Sequence, residues 1–250
     1  MGYSMVFYSL NGLFQEKFLE NKINYLDIFK LVRYFYPKVE PVFGFTKRDK
    51  YTKVIDLNCS LDYIFANFRK NTRYEIKRAK KEGIRFEIED NIEVFFKYYN
   101  EFANSKNYEL LLFKTLQKYK QHIFITKALK GKKILSMHAY ILGKDRVILL
   151  YSASLFRTSE DKKYRNLVGY ANRFLHFEDI CYFKKHQYHL YDFGGYAMSK
   201  CNDELQDINY FKDSFGGELL YERIYTSYML NCFLFLKKIV MVLGFHLKKV

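Results

Sequence analysis

Between Ser60 and Gly83 the apolar residues Leu61, Ile64, Phe65, Phe68, Ile76 and Ala79 fall on one face at helical spacing, which predicts an amphipathic helix. Ser60 is suited to cap its start, Asp62 to the positive end of its dipole, and Gly83 to its end. The opposite side carries Arg69, Arg73, Lys77 and Lys80 as a basic stripe. Ile84–Ile88 alternates as a strand, and 92–104 and 110–120 read as helices. Ile123–Leu129, Ile134–Leu142 and Val147–Ser152 predict an antiparallel meander, because Lys130-Gly131-Lys132 and Gly143-Lys144-Asp145 have hairpin chemistry. A helix from about Leu167 to Lys184, a strand at Tyr188–Phe193, a short helix at 204–213 and a strand at 218–226 follow. Residues 3–58 are aromatic-rich and less regular. There Val42–Phe45 and Thr52–Leu57 read as strands, after a loop bracketed by Pro37 and Pro41. The order predicts an α+β fold around a mixed, mostly antiparallel sheet flanked by helices. It divides as 1–58, a partial amino-terminal α/β segment; 59–228, the main domain; and 229–250, a carboxy-terminal helix.

That last segment is nearly long enough to span a bilayer, but Lys237 and Lys238 interrupt it near the middle. On a helical wheel Lys237, Lys238, Lys248 and Lys249 gather on one side. This suits a helix lying on an anionic membrane surface, and equally a terminal helix docked on its own domain. Composition bears on the choice. Forty-two Lys and Arg against 27 Asp and Glu leave a net charge of +15, which implies an anionic partner, although the Lys-, Asn- and Ile-rich usage of an AT-rich genome contributes. The 49% hydrophobic content excludes general disorder. Cys59, Cys181, Cys201 and Cys232 form no C-x-x-C pair, and His186-x-x-His189 has no partner at metal-ligand spacing, so neither a metal nor a disulfide framework is expected. The start has no basic n-region, and Val6 stands where an acylation signal following Gly2 needs Ser or Thr. The expectation is a cytoplasmic protein, peripheral on the inner face of the membrane.

Two aromatic–charge–glycine units are candidates for chemistry: Tyr191-Asp192-Phe193-Gly194-Gly195 and Phe211-Lys212-Asp213-Ser214-Phe215-Gly216-Gly217. Glycine permits positive φ or close approach of a ligand, and a charge among aromatics must be used or paired. They read either as a site or as two glycine turns joined by an Asp192–Lys212 salt bridge. A third candidate is Arg165-Asn166-Leu167-Val168-Gly169-Tyr170-Ala171. Small residues in the first turn of a helix would expose N–H groups to phosphate oxygens. The spacing Asn166-x-x-Gly169-x-Ala171 is similar to the loop by which GNAT acetyltransferases hold the coenzyme A pyrophosphate.

The sequence Arg73-x-x-x-Lys77-Arg78-Ala79-x-x-x-Gly83, then the meander, Tyr-Asp-Phe-Gly-Gly and Phe-Lys-x-x-Phe-Gly-Gly, resembles over roughly 55–225 the second domain of FemABX-type aminoacyl transferases and their GNAT-like relatives. The resemblance implies a GNAT-like fold and transfer of an acyl or aminoacyl group to an amine. It places Phe211 and Lys212 near the reacting ester, where a cation stabilises the developing oxyanion. The amine must lose a proton, for which Asp192 is the first choice of base and His138 the second. Tyr151, Ser152 and Ser154, with Gly194 and Gly195, are candidates for substrate contacts, and Arg69 and Arg73 for anionic groups. Departures from the family, a curtailed first half and no coiled-coil insertion for tRNA, shift weight from aminoacyl-tRNA to acyl-CoA (acetyl-CoA) as donor. The acceptor is expected to be an amino sugar of a cell-envelope glycan precursor. The alternatives are an aminoacyl-tRNA-dependent transferase and a non-catalytic membrane-surface protein.

Overall fold

The computed structural model describes residues 5–9, 12–39, 43–156, 160–198 and 203–247. Gly2, Pro41, Val42, Cys201, Lys248 and Lys249, and the side chain of His246, lie outside the described residues. The chain forms two compact units, 1–50 with 221–250, and 51–220. The amino-terminal segment and the carboxy-terminal helix thus belong to one unit.

In the first unit β1 (Met5–Ser9) pairs antiparallel with β2 (Phe14–Phe18), β2 parallel with β3 (Leu31–Phe35), and β3 antiparallel with β10 (Glu218–Ser227). Ile23, Val32, Tyr34, Phe45 and Tyr225 form its core. The charge buried beside that core is fully partnered. Asp27, at the centre of a short 3-10 helix (Tyr25–Phe29), accepts from Lys17 at 2.5 Å, Lys30 at 2.9 Å and the Tyr34 hydroxyl at 2.5 Å. Helix α7 (Tyr228–Leu247) follows β10 directly.

The second unit holds a sheet in the order β4 (Phe45–Asp56, here from Tyr51 on), β9 (Leu190–Tyr196), β8 (Arg146–Ser154), β7 (Lys133–Leu142), β6 (Ile123–Lys130), β5 (Arg85–Ile88). Only the β8–β9 pair is parallel. Its helices are α1 (Leu61–Ala66), α2 (Lys70–Lys81), α3 (Ile92–Ser105), α4 (Phe113–Gln117), α5 (Lys162–Lys185) and α6 (Asp203–Asp213). Strand periodicity divides β7 between two layers. Ser136, His138 and Tyr140 make hydrogen bonds to α5, while Met137 and Ala139 pack with Phe95 and Leu116 from α3 and α4.

Four expectations are corrected. The helix expected over 61–82 is two helices, broken at Asn67–Arg69. Phe68 turns into the core, Arg69 N–H bonds the Ser214 carbonyl at 2.9 Å, and the Arg73 guanidinium holds the Ala66 and Phe68 carbonyls at 2.5 and 3.0 Å. The break makes room for the second glycine pair. A Cβ on Gly216 (φ +69°) would lie 2.9 Å from the Asn67 oxygen, and one on Gly217 (φ +74°) 2.2 Å from the Val54 oxygen. Both neighbours are backbone, so Gly217→Ala is expected to destabilise by more than about 1 kcal/mol, read as a lowered urea midpoint. Second, Phe45–Asp56 is one strand, where two short ones were expected. Third, α4 is five residues long, shorter than 110–120.

Fourth, α5 starts at Lys162 and not near Leu167. Its cap is Asp161, whose carboxylate accepts from Lys163 N–H at 2.8 Å. The apolar periodicity begins one turn after the helix does, because Lys162, Lys163 and Asn166 are exposed.

Candidate active site

A cavity of about 720 Å3 opens where β8 and β9 part. Their parallel pairing runs from Arg146–Leu190 to Ile148–Asp192 and no further. Beyond it Leu149, Tyr151 and Ser152 on one strand, and Phe193, Gly194 and Gly195 on the other, become cavity wall. Helix α6 supplies Phe211 and Lys212, and α5 supplies Arg173 and His176.

Asp192 fixes the last paired position. It is fully buried, with Oδ2 taking Arg146 Nη2 at 2.5 Å and Nε at 3.1 Å, while Oδ1 takes the Gly194 N–H at 2.7 Å and the Thr52 hydroxyl. The single Thr52 proton is shared with the Gly194 carbonyl, 2.6 Å away, next to an irregularity in the β4–β9 register between Thr52 and Val54. Every acceptor of the carboxylate is directed at the scaffold. Asp192 therefore does not meet the cavity, and the base expected there is corrected to a structural strut. The Asp192–Lys212 salt bridge does not form either. Lys212 Nζ donates to the Gly195 carbonyl at 2.5 Å.

His138 is likewise buried, behind the cavity wall. Its Nδ1 lies 2.7 Å from Asp179 Oδ2 and its Nε2 3.0 Å from Asn172 Oδ1. The ring packs 4.1 Å from that of His176, which does line the cavity. A hydroxyl chain orients His176. The Asp179 carboxylate can only accept, so Tyr140 donates to it at 2.5 Å. The Tyr140 oxygen then accepts from Tyr191 at 2.8 Å, and the Tyr191 oxygen accepts from His176 Nδ1 at 2.7 Å. This polarity, assigned by the network, puts the imidazole proton on Nδ1 and leaves Nε2 as the acceptor of the ring. Burial, then the charge of Asp179, pushes both phenols well above their usual pKa, so they keep their protons.

Burial also holds the His176 pKa well below 6.5, helped by His138, Lys212 and Arg173. The unfolded chain thus binds more protons than the folded one below that pH. The stability contributed by neutral His176 is complete above pH 6.5 and declines as pH falls from 6.5 toward the folded pKa. Chemical denaturation at successive pH values is expected to show this loss, and His176→Phe to lessen it. His138, His176 and Asp179 bring donor atoms within 4.8 Å of one another and are the described residues able to hold a metal ion.

The structure brings Tyr151, Ser152, Ser154, Gly194, Gly195, Phe211 and Lys212 into this one cavity. It does not bring Arg165, Asn166, Gly169 or Ala171 there as a phosphate loop. They occupy the first, second and third turns of α5, Arg165 N–H already bonds Asp161, and Ala171 is packed in the core. The pattern does not fit a coenzyme A pyrophosphate. Arg69 and Arg73 are also elsewhere: Arg69 lies over the Tyr210 ring at 4.3 Å, and Arg73 closes α1. Lys80 pairs with Glu178 at 2.8 Å, so much of the basic stripe is intramolecular. His176, Arg173, Asn172 and Asp179 carry no sequence motif. Glu204, which takes the Tyr108 hydroxyl and Lys106 Nζ at 3.2 Å near the rim, carries none either.

No protein-family model matches this chain, and no curated protein matches its sequence. Solved structures do match. FemX superposes with a TM-score of 0.63 at 11% identity, over 90% of this chain and 84% of that one. A domain from Agrobacterium fabrum, assigned as the C-terminal domain of a lysylphosphatidylglycerol synthetase, gives 0.56 at 12% identity over 90% and 84%. L-PGS from Bacillus licheniformis gives 0.54 at 12% over the same shares. At these identities the likeness is one of fold. The chain has the GNAT-like α+β fold of these proteins, with the mixed, mostly antiparallel sheet expected from the sequence.

Proposed function

We propose that the cavity is the active site of a transferase that moves an acyl-type group, carried as an aminoacyl ester, to an amine of a cell-envelope precursor. One observation carries the reading. The ammonium of Lys212 and the acceptor nitrogen of His176 serve the same aromatic cavity, and the Lys212 charge is felt at the imidazole. A cation and a neutral base lining one cavity suit a reaction that develops an oxyanion and releases a proton. Likeness of fold to FemX and to a lysylphosphatidylglycerol synthetase supports a transferase of envelope components. The ester is favoured over acyl-CoA because residues 165–171 lie within a helix.

In this scheme the acceptor nitrogen attacks the ester carbonyl carbon. A C–N bond forms, and the carbonyl oxygen takes up negative charge opposite Lys212. His176 Nε2 accepts the amine proton, and the C–O bond then breaks. The departing alkoxide recovers the proton from His176. Gly194 and Gly195 keep side chains off that wall: a Cβ on Gly194 (φ +76°) would lie 3.1 Å from the Leu149 oxygen.

The test is mass spectrometry of the purified protein incubated with charged tRNA or acyl-CoA and a panel of lipid- and nucleotide-linked acceptors. Lys212→Met is expected to lower kcat/KM about 100-fold. Its loss of the bond to Gly195 should cost about 1–3 kcal/mol of stability. Transfer by Lys212→Met at the parent rate would refute the electrostatic role, and no transfer from either donor would refute the activity.

A further inference from the structure

The first turn of α7 is anchored. Leu230 is 1% exposed, Tyr228 N–H bonds the Gly44 carbonyl at 3.0 Å, and Asn231 donates to the Thr46 hydroxyl at 2.7 Å. From Leu234 to Val240 every side chain is exposed, and most are apolar: Phe235 is 65% exposed, Leu236 60% and Val240 67%. At about 100° per residue, Phe235, Tyr228, Ile239, Leu236, Met229 and Val240 occupy one arc of roughly 140°. The buried Leu230 lies on the other side. Lys238 and Lys237 fall about 60° beyond the two edges of that arc, one on each side. The apolar surface continues at the root of the helix. The exposed Phe43 ring packs 6.2 Å from Tyr228, and Ile28 of the 3-10 helix lies against Gly44, with Leu26 and Phe29 exposed beside it.

We propose that this surface docks on an anionic lipid bilayer, with α7 lying in the interface. An apolar arc rimmed by lysines matches such a plane: the ring and aliphatic groups enter the acyl boundary while the lysine stems reach back to the headgroups. Charge complementarity selects the occupant. Residues 228–247 contain no Asp or Glu, so a second copy of the helix would set lysine against lysine, whereas an anionic leaflet neutralises both. Among the described residues no helix is long and apolar enough to cross a membrane. Soluble monomers rarely leave contiguous apolar surface of this kind uncovered.

The test is co-sedimentation of the full chain with vesicles of phosphatidylcholine alone, or of phosphatidylcholine with phosphatidylglycerol. Binding is expected to the mixed vesicles, to weaken with added salt, and to fall about 25-fold in the K237Q/K238Q variant, since each lysine near such a surface contributes roughly fivefold. F235S/L236S should abolish it, with the melting curve unchanged because both positions are exposed. Equal sedimentation with the two vesicle types would overturn the proposal. So would a concentration-dependent dimer, lost in F235S/L236S, from a chain that ignores vesicles.

Discussion

Asp192→Ala unfolds the second unit more readily instead of yielding a folded, inactive protein. The substitution leaves the Arg146 guanidinium buried without the Asp192 carboxylate and takes the acceptor from the Gly194 N–H as well, while the Thr52 hydroxyl keeps only the Gly194 carbonyl. Breaking a buried pair by removing one partner costs about 3–5 kcal/mol, a large share of the roughly 5–15 kcal/mol that holds a protein folded. For a unit of this size that lowers the melting temperature by roughly 6–20 °C. Differential scanning calorimetry measures it. A double substitution, Asp192→Ala with Arg146→Met, should recover part of the loss, because no lone charge is then buried. If Asp192→Ala melts with the parent but has lost turnover, the carboxylate works as a base and the strut assignment is wrong.

His176→Gln is expected to lower kcat about 100- to 10,000-fold, the span of a lost general base, while substrate binding changes little. Glutamine keeps a polar group near Nε2 but cannot take a proton. The hydroxyl relay makes the sharper distinction. Tyr191→Phe removes the acceptor that holds the proton on Nδ1, and the imidazole can then present N–H to the cavity. A smaller fall in kcat is expected there, with a displaced acid limb in the pH–rate profile. A residue that merely fills space would leave the profile of the surviving activity where it was. Since burial and the neighbouring cations hold His176 neutral, the parent rate should stay flat through pH 7 and fall only below 6.5. Full turnover by His176→Gln would remove the base from the scheme.

What the sequence made legible was local. The β6–β7–β8 meander follows from alternation and glycine-bearing turns, and Gly131 does adopt a positive φ. Helix α6 and strand β10 stand within a residue or two of their expected bounds, because their periodicity starts and stops with the element. Nonlocal facts were hidden. The break at Asn67–Arg69 depends on a loop at 214–217, and the partner of Asp192 is Arg146 on the neighbouring strand. Nothing near Arg146 in sequence marks it as the counter-ion. Asp161 is the signal in the sequence for the start of α5, and it places Asn166, Gly169 and Ala171 inside the helix and not at its start. His176 sits in an aromatic helix face that reads as core, and its orientation depends on hydroxyls from β7 and β9.

The alternation along β7 has one more effect. Because Ser136, His138 and Tyr140 meet α5 while Met137 and Ala139 meet α3 and α4, a slip by one residue exchanges the two sets. Asp179 would then face a thioether or a methyl group, and His176 would lose its orientation together with the packing of both layers. Irregularities in the pairing of β7 with both neighbours, at Ala128–Leu129 and Ala139–Tyr140, pin the strand against such a slip. In the proposed scheme a mispaired molecule is therefore silent as well as unstable. The fraction of a preparation that turns over would then have as its ceiling the fraction whose central strand was laid down in register.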